Sequence, residues 1–160
     1  MAELVDVAPG VLVHTSRHES LNSVVLASIS EAMLIDPGGE VDELDDIADQ
    51  LDERGLKVLS GFATHAHHDH VLWHPAFGDV PRLASEATVR LVDADRERLL
   101  ERAAADDPGL DSRPDIAALL GRLCPTPQAP ADAHRTWLPK GAASDGFEPE
   151  LLTHDAHVPG

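Results

Sequence analysis

Histidine is concentrated in one short segment of this 160-residue chain, because five of its ten histidines lie between residues 65 and 74. Four side chains of this segment, His65, His67, Asp69 and His70, offer imidazole nitrogens and a carboxylate oxygen, which are donors that Zn²⁺ prefers. His65 and His67 are two residues apart, so in an extended chain both project to the same side and converge on one ion. Asp69 and His70 follow a turn later and face a second ion. The spacing predicts a metal centre, against the alternative of a surface loop that binds metal adventitiously.

The elements before this segment place it at the edge of a sheet. The apolar run from Lys57 to Ala63 has strand character and ends directly before the histidines, where ligand sites of α/β sheets concentrate. Apolar residues at helical spacing predict a helix from Val41 to Leu51, with Gly55 at its C-terminal cap. Four earlier apolar runs predict a meander of short strands: Leu4 to Val7, Val11 to His14, Ser23 to Ile29 and Ala32 to Ile35. Strand, helix and strand in this order form a βαβ unit, which indicates a layered α/β fold.

The chain after the histidines is richer in helix. Pro81 to Ala84 has the character of a short strand, and Ser85 is placed to cap a charged helix from Glu86 to about Ala105, whose apolar face Asp95 interrupts. A second helix is predicted from the capping-box residues Ser112 and Asp115 and from apolar residues at helical spacing: Ile116, Leu119, Leu120 and Leu123. An extended connection from Cys124 to Arg135 and a final strand from Phe147 to Thr153 complete the pattern.

The amino-acid composition limits the classes of partner that the chain could bind. The chain has 12 Lys and Arg against 29 Asp and Glu, a formal charge of −17, which opposes nucleic acid or an anionic membrane as the main partner and leaves a small-molecule substrate. Cys124 is the one cysteine, so no internal disulfide can form. The N-terminus lacks the basic and apolar stretches of a leader, and no apolar run approaches the roughly 18 residues of a membrane span. We therefore expect a cytoplasmic protein.

Three motifs in order resemble those of the metallo-β-lactamase superfamily. The segment from His65 to His70 fits the HxHxDH signature of that family, Asp36 follows an early strand in the sequence Leu-Ile-Asp-Pro-Gly, and residues 155–160 form a PGH-like turn that places His157 at a metal-ligand position. The chain departs from the family at Trp73, where a glycine is usual. The resemblance covers the chain except for residues 85–135, which we interpret as a helical insertion or lid within one domain of residues 1–160.

The resemblance implies a fold and a ligand set. The fold would be an αββα sandwich that is incomplete here: an N-terminal half with a mixed sheet and flanking helices, from a longer domain or a truncated gene. His65, His67 and His157 would bind the first metal ion, and Asp69 and His70 the second. Asp36 would accept a hydrogen bond from a liganding imidazole or from the loop backbone, although an Asp-Pro-Gly-Gly sequence is also an ordinary turn. Two zinc ions are expected in the full-length protein, with iron or manganese as the other candidates.

The function implied is that of a hydrolase. A metal-bound hydroxide would attack an ester, thioester, lactone, amide or phosphodiester bond of a small molecule, with Asp69 as the catalytic carboxylate that orients the hydroxide and relays its proton. The absence of a Gly-x-Ser-x-Gly elbow and of a cysteine near the cluster fits this mechanism. One alternative is a mononuclear iron oxidoreductase of the same superfamily. Another is a non-catalytic metal-binding or interaction half-domain whose exposed sheet face pairs with a partner or with a second copy.

The remaining histidines and aromatic residues receive lesser roles. We expect His68 to be a solvent-facing passenger of the motif and His74 to have a supporting or surface role. No functional role is predicted for four histidines: His14, His18, His134 and His154. Three large aromatic residues are interpreted as core or pocket wall: Trp73, Phe77 and Trp137.

Overall fold

A computed structural model describes residues 3–18 and 21–126, all of which belong to one compact unit, Met1–Thr126. Its strands in chain order are β1 (Val5–Ala8), β2 (Val11–Thr15), β3 (Asn22–Ala27), β4 (Glu31–Ile35), β5 (Lys57–Ala63), β6 (Arg82–Ala84) and β7 (Cys124–Pro125). Its α-helices are α1 (Val41–Glu53), α2 (His68–Val71), α3 (Glu86–Asp106) and α4 (Pro114–Ala117). Two 3₁₀ turns cover Pro75–Phe77 and Pro108–Ser112. The strand predicted for Phe147 to Thr153 lies outside the described residues.

The seven strands form one mixed sheet in the order of the sequence. β1 to β4 pair antiparallel with their neighbours, and β4 to β7 pair in parallel. The predicted meander is therefore confirmed, as is the predicted βαβ unit, since α1 connects the parallel strands β4 and β5. Parallel pairing places the carboxyl ends of β4, β5 and β6 at one edge of the sheet, which is the edge where the histidine segment begins.

Helix α1 follows its sequence pattern closely. Its buried residues recur at helical spacing and are Val41, Glu43, Leu44, Ile47, Ala48 and Leu51. At its end, Gly55 has a φ of +66°, its N–H donates to the Asp52 carbonyl at 2.9 Å, and the Leu56 N–H donates to the Leu51 carbonyl at 2.9 Å. These two bonds form a Schellman motif, which a residue with a Cβ would strain. The predicted cap at Gly55 is confirmed.

Helix α3 also begins where the sequence predicts. The Ser85 hydroxyl accepts a hydrogen bond from the Thr88 N–H at 3.1 Å, as an N-cap residue does. Asp95, the residue that interrupts the apolar face, has non-helical backbone angles (φ −126°, ψ 23°), so α3 consists of two helical pieces joined at a kink.

The helix predicted from Ser112 onwards is mostly wrong. Helix α4 is only four residues long, and the Ser112 hydroxyl caps nothing because it donates to the Gly109 carbonyl at 2.8 Å within the preceding 3₁₀ turn. The apolar residues Ile116 and Leu120 are nevertheless fully buried. Two arginines hold this segment by its carbonyls: Arg82 reaches Leu119 at 2.6 Å and Arg96 reaches Leu120 at 3.0 Å. Tertiary contacts therefore replaced the local helical pattern.

The sheet has a buried face and a partly exposed face. The buried face carries residues such as Leu12, Val25 and Leu34 into one continuous apolar core with α1, α3 and α4. The strand register places a row of five apolar residues on the other face, each partly exposed: Val13, Val24, Ile35, Phe62 and Leu83. Within residues 3–18 and 21–126, no helix is long and apolar enough to cross a membrane.

Candidate metal centre

The carboxyl ends of β4 and β5 are joined by side-chain hydrogen bonds between Asp36 and Thr64. One Asp36 oxygen accepts from the Thr64 N–H at 2.8 Å, and the other accepts from the Thr64 hydroxyl at 2.7 Å. Asp36 has a φ of +49°, a conformation that aspartate tolerates better than most residues. The same carboxylate lies 3.1 Å from Nδ1 of His70. Asp36 is therefore both a turn residue and an acceptor for an imidazole of the HxHxDH segment, so the two interpretations from the sequence coexist.

The four side chains predicted as ligands in the HxHxDH segment lie together around Asp69. One Asp69 oxygen contacts Nδ1 of His67, and the other lies 3.3 Å from Nε2 of His70. The rings of His65 and His70 are 3.9 Å apart between centroids, and those of His65 and His67 are 6.1 Å apart. Asp69 is buried whereas His65 is exposed, so the cluster has a fixed inner side and an outer side open to solvent. Its role as a metal site stays a prediction.

Asp69 reaches this position because Gly39 makes room for it. A Cβ added to Gly39 would lie 2.7 Å from the Asp69 Cβ, closer than two such carbons approach. The second glycine of the Asp-Pro-Gly-Gly turn therefore permits close contact between the turn after β4 and the segment after β5. No role was assigned to Gly39 or Thr64 from the sequence. The one signal that could have indicated a role is their position in the sequence, since Gly39 lies close to Asp36 and Thr64 directly precedes His65.

The charged groups of the cluster shift one another's pKa values. Burial by itself raises the pKa of Asp69, but hydrogen bonds from His70 and His67 outweigh it and hold the pKa well below its usual value. Burial lowers the pKa of His70, but the Asp36 and Asp69 carboxylates outweigh it and raise the pKa to about 9. Without metal, His70 is thus protonated at neutral pH, and a metal ion that binds it must displace that proton.

The expectation that His68 faces solvent is wrong. His68 is 4% exposed, and its Nε2 lies 2.8 Å from a carboxylate oxygen of Asp106 at the end of α3. The next residue, Asp107, accepts from the Val41 N–H at 2.7 Å and so caps α1. His68 is buried because α2 starts at this residue and turns it inward. Ligand atoms of His67, His68 and Asp69 lie within 4.8 Å of one another, so His68 is a third possible donor on the inner side.

A sequence model of the metallo-beta-lactamase superfamily matches residues 19–160. This chain belongs to the metallo-beta-lactamase superfamily. Solved structures agree on the fold: the DIM-1 metallo-beta-lactamase is 18% identical over 59% of this chain and 47% of its own, with a TM-score of 0.50. A metallo-beta-lactamase from Erythrobacter litoralis is 17% identical over 59% of this chain and 46% of its own, also with a TM-score of 0.50. FIM-1 from Pseudomonas aeruginosa, solved in its mono-zinc form, is 17% identical with a TM-score of 0.49.

The chain spans about half the length of these solved superfamily members, and no curated protein sequence matches it. At such low identity the likeness shows the fold alone. Together with the superfamily match, the seven-stranded mixed sheet with its helices corresponds to an incomplete αββα sandwich, as the sequence predicted.

Trp73, which stands where the superfamily usually has glycine, is accommodated by another glycine. Its ring is 3% exposed and lies against Gly61 of β5, where an added Cβ would be 2.5 Å from the nearest ring carbon. The indole N–H donates to the Gly78 carbonyl at 3.1 Å, and the Arg82 guanidinium lies 5.4 Å from the ring centroid. Trp73 and Phe77 are core residues, as expected; Trp137 lies outside the described residues.

His74, for which a supporting or surface role was expected, contacts none of the predicted ligands that the structure describes, and that expectation stays a prediction. Its Nδ1 accepts from the Ala76 N–H at 3.1 Å, and its Nε2 lies 2.9 Å from a carboxylate oxygen of Asp45 and 3.0 Å from the Arg113 guanidinium. Burial, with Arg113 nearby, lowers the pKa of His74. His157, the predicted third ligand of the first ion, lies outside the described residues, as do His134 and His154. The described residues thus bring together the predicted ligands His65, His67, Asp69 and His70, with Asp36 behind His70.

Proposed function

We propose that this chain carries the metal-binding half of a zinc-dependent hydrolase that acts on a small molecule. The observation that carries the proposal is Asp69, which is buried with one carboxylate oxygen towards His67 and the other towards His70, in a chain whose superfamily membership is established. The candidate bonds are those of esters, thioesters, lactones, amides and phosphodiesters.

The donor set fits zinc. Imidazole nitrogens suit zinc and other transition metals better than magnesium or calcium, and a carboxylate supplies the harder ligand. The 3.3 Å between Nε2 of His70 and the Asp69 oxygen is close to the roughly 3.3 Å that separates two ligands of one tetrahedral zinc ion. His65 and His67, with His157, would hold one ion, and Asp69 and His70 the other. Zinc bound there would lower the pKa of a water from 15.7 towards about 7 and would polarise the scissile bond.

Hydrogen bonds within the chain orient the side chains that would bind the metal. Asp36 holds Nδ1 of His70, which leaves Nε2 of the same ring directed towards Asp69 and the cluster. Asp69 remains ionised at neutral pH because its pKa is low, so it can bind a cation and accept a hydrogen bond from water. The exposed side of the cluster, at His65, is where a substrate would approach.

Residues 85–135 are proposed to shape the substrate pocket. Two contacts of their described part support this: Asp106 holds His68, and the Gly121 N–H donates to the carbonyl of Val71, the last residue of α2, at 3.0 Å. The insertion therefore touches the metal segment from two directions. Deletion of residues 116–123 should alter substrate selectivity in a chain that still folds; unchanged selectivity would contradict this role.

Metal analysis and hydrolysis of a substrate panel test the proposed function. The chain is dialysed against zinc, its metal content is measured by atomic emission, and hydrolysis is followed with chromogenic ester, thioester, lactone, amide and phosphodiester compounds. Asp69→Asn should abolish hydrolysis and weaken zinc binding, since it removes the negative charge of the carboxylate whose two oxygens face His67 and His70. His18→Gln is the matched control, because His18 is an exposed histidine outside the cluster.

Three outcomes count against the proposal. A folded chain that binds no zinc refutes the metal centre. Zinc binding that Asp69→Asn leaves unchanged refutes the role of the cluster. Redox-active iron as the metal that restores activity would favour the iron oxidoreductase instead.

A further inference from the structure

A second cluster of buried polar side chains lies between β2, β3 and α1. His14 on β2 and Ser23 on β3 are direct cross-strand partners, so their side chains share a face of the sheet. Glu43, in the first turn of α1, is 1% exposed, and its Oε2 lies 3.4 Å from Nε2 of His14, which is 3% exposed. Ser16, which follows β2, is buried as well. The cluster is separate from the HxHxDH segment, because it is built on other strands.

Four polar atoms of this cluster lack a hydrogen-bond partner: Nε2 of His14, Oγ of Ser16, Oγ of Ser23 and Oε2 of Glu43. They are four of the five such buried side-chain atoms in the part of the chain that the structure describes. Buried polar atoms without partners are destabilising and are rare in folded proteins. Two of them, Nε2 of His14 and Oε2 of Glu43, face each other, so this pair can bind a guest between them.

The spacing of two of these atoms favours a metal ion over a water molecule. Nε2 of His14 and Oε2 of Glu43 are 3.4 Å apart, which is longer than a direct hydrogen bond of about 2.7–3.2 Å. Two groups that bind one water tetrahedrally lie roughly 4.5 Å apart. Two ligands of one tetrahedral zinc ion lie roughly 3.3 Å apart, because each bond is about 2.0–2.1 Å long.

The charge around the cluster also favours a cation. The Arg17 guanidinium is shared by three carboxylates, those of Glu40, Asp42 and Glu43. Arg17 binds only Oε1 of Glu43, through its backbone N–H at 3.0 Å and its Nε at 3.1 Å. The second oxygen of Glu43 is thus left facing His14, and the three negative charges exceed the one positive charge. A divalent cation would balance them.

We propose that His14 and Glu43 bind a second, structural divalent transition-metal ion such as zinc. The ion links β2 to the first turn of α1. No role was predicted for His14 from the sequence, because its partner, Glu43, lies on a separate element and shares no local motif with it.

Zinc content in a chain without the HxHxDH ligands tests the proposal. The variant His65→Ala/His67→Ala/Asp69→Ala/His70→Ala removes the four predicted ligands of the other centre that the structure describes, and circular dichroism checks that it folds. After dialysis against zinc, it should retain about one ion per chain and show a higher thermal midpoint with zinc than with chelator. Adding His14→Gln should remove that ion and the thermal shift, whereas the matched control His18→Gln should leave both unchanged.

A second measurement does not depend on how the His14 variant folds. Cobalt(II) added to the same fourfold variant should give the visible absorption of a tetrahedral site with nitrogen and oxygen ligands. A folded fourfold variant with neither bound zinc nor this absorption refutes the proposal, and means that water or a direct ion pair occupies the cluster. Retention of the ion after both His14→Gln and Glu43→Gln also refutes it.

Discussion

Gly61→Ala should destabilise the chain through a single contact. The added methyl group would lie 2.5 and 2.7 Å from two ring carbons of Trp73, and 3.3 Å from Cγ of Arg82. The Trp73 ring cannot swing away, because it is buried, its N–H is bonded to the Gly78 carbonyl, and Arg82 lies over it. Overpacking of this kind costs about 1–3 kcal/mol. We expect a loss of about 2 kcal/mol in the free energy of unfolding.

Urea denaturation followed by far-UV circular dichroism measures this loss, and a double-mutant cycle assigns it to Trp73. In a Trp73→Leu background the ring is gone, so Gly61→Ala should cost less than about 1 kcal/mol. Gly55→Ala is the control: its φ is +66° and nothing lies within 4 Å of its added Cβ, so its cost is conformational and should be equal in both backgrounds. Equal costs of Gly61→Ala in both backgrounds would refute the reasoning.

Two further predictions concern the metal segment. In the metal-free chain the pKa of His70 is raised from 6.5 to about 9, so its ion pairs contribute up to about 3 kcal/mol below pH 6.5, and this contribution is lost as the pH rises to 9. Urea titrations in chelator should show that loss in the wild type and not in His70→Gln; parallel curves would contradict it. Asp106→Ala should lower the free energy of unfolding by about 1–2 kcal/mol, because buried His68 loses its partner, whereas exposed Asp111→Ala should change little in the same titration.

The fold was predictable where one element carries its own signal. The strands of the meander, α1 with Gly55 and α3 with Ser85 each follow from local periodicity and caps, and the structure has them within a few residues. The helix predicted from Ser112 failed, since Arg82 and Arg96 bind the carbonyls of the segment that follows and hold it in turns. The local pattern correctly predicted which residues of this segment are buried. It did not predict the backbone conformation of the segment.

The candidate site, like the fold, was predictable only where the signal is local in the sequence. The HxHxDH segment could be recognised from the sequence because its predicted ligands lie within six consecutive residues. In the structure these same residues lie close to one another. The contacts of Thr64, Gly39 and His68 could not be predicted from the sequence, because their partners are distant along the chain. Asp36 lies 28 residues before Thr64, and Asp106 lies at the far end of α3 from His68. A contact of this type is known only when the path of the chain is known.

The adjacent carboxylates at the end of α3 restrict how this chain can be recombined. Asp106 binds His68 and Asp107 caps α1 at Val41, so two consecutive residues connect the end of α3 to two different elements. One residue added to or removed from α3 just before them would rotate both carboxylates by about 100° around the helix axis. A chimera that exchanges α3 with the corresponding helix of a relative therefore has to preserve the phase of the end of α3.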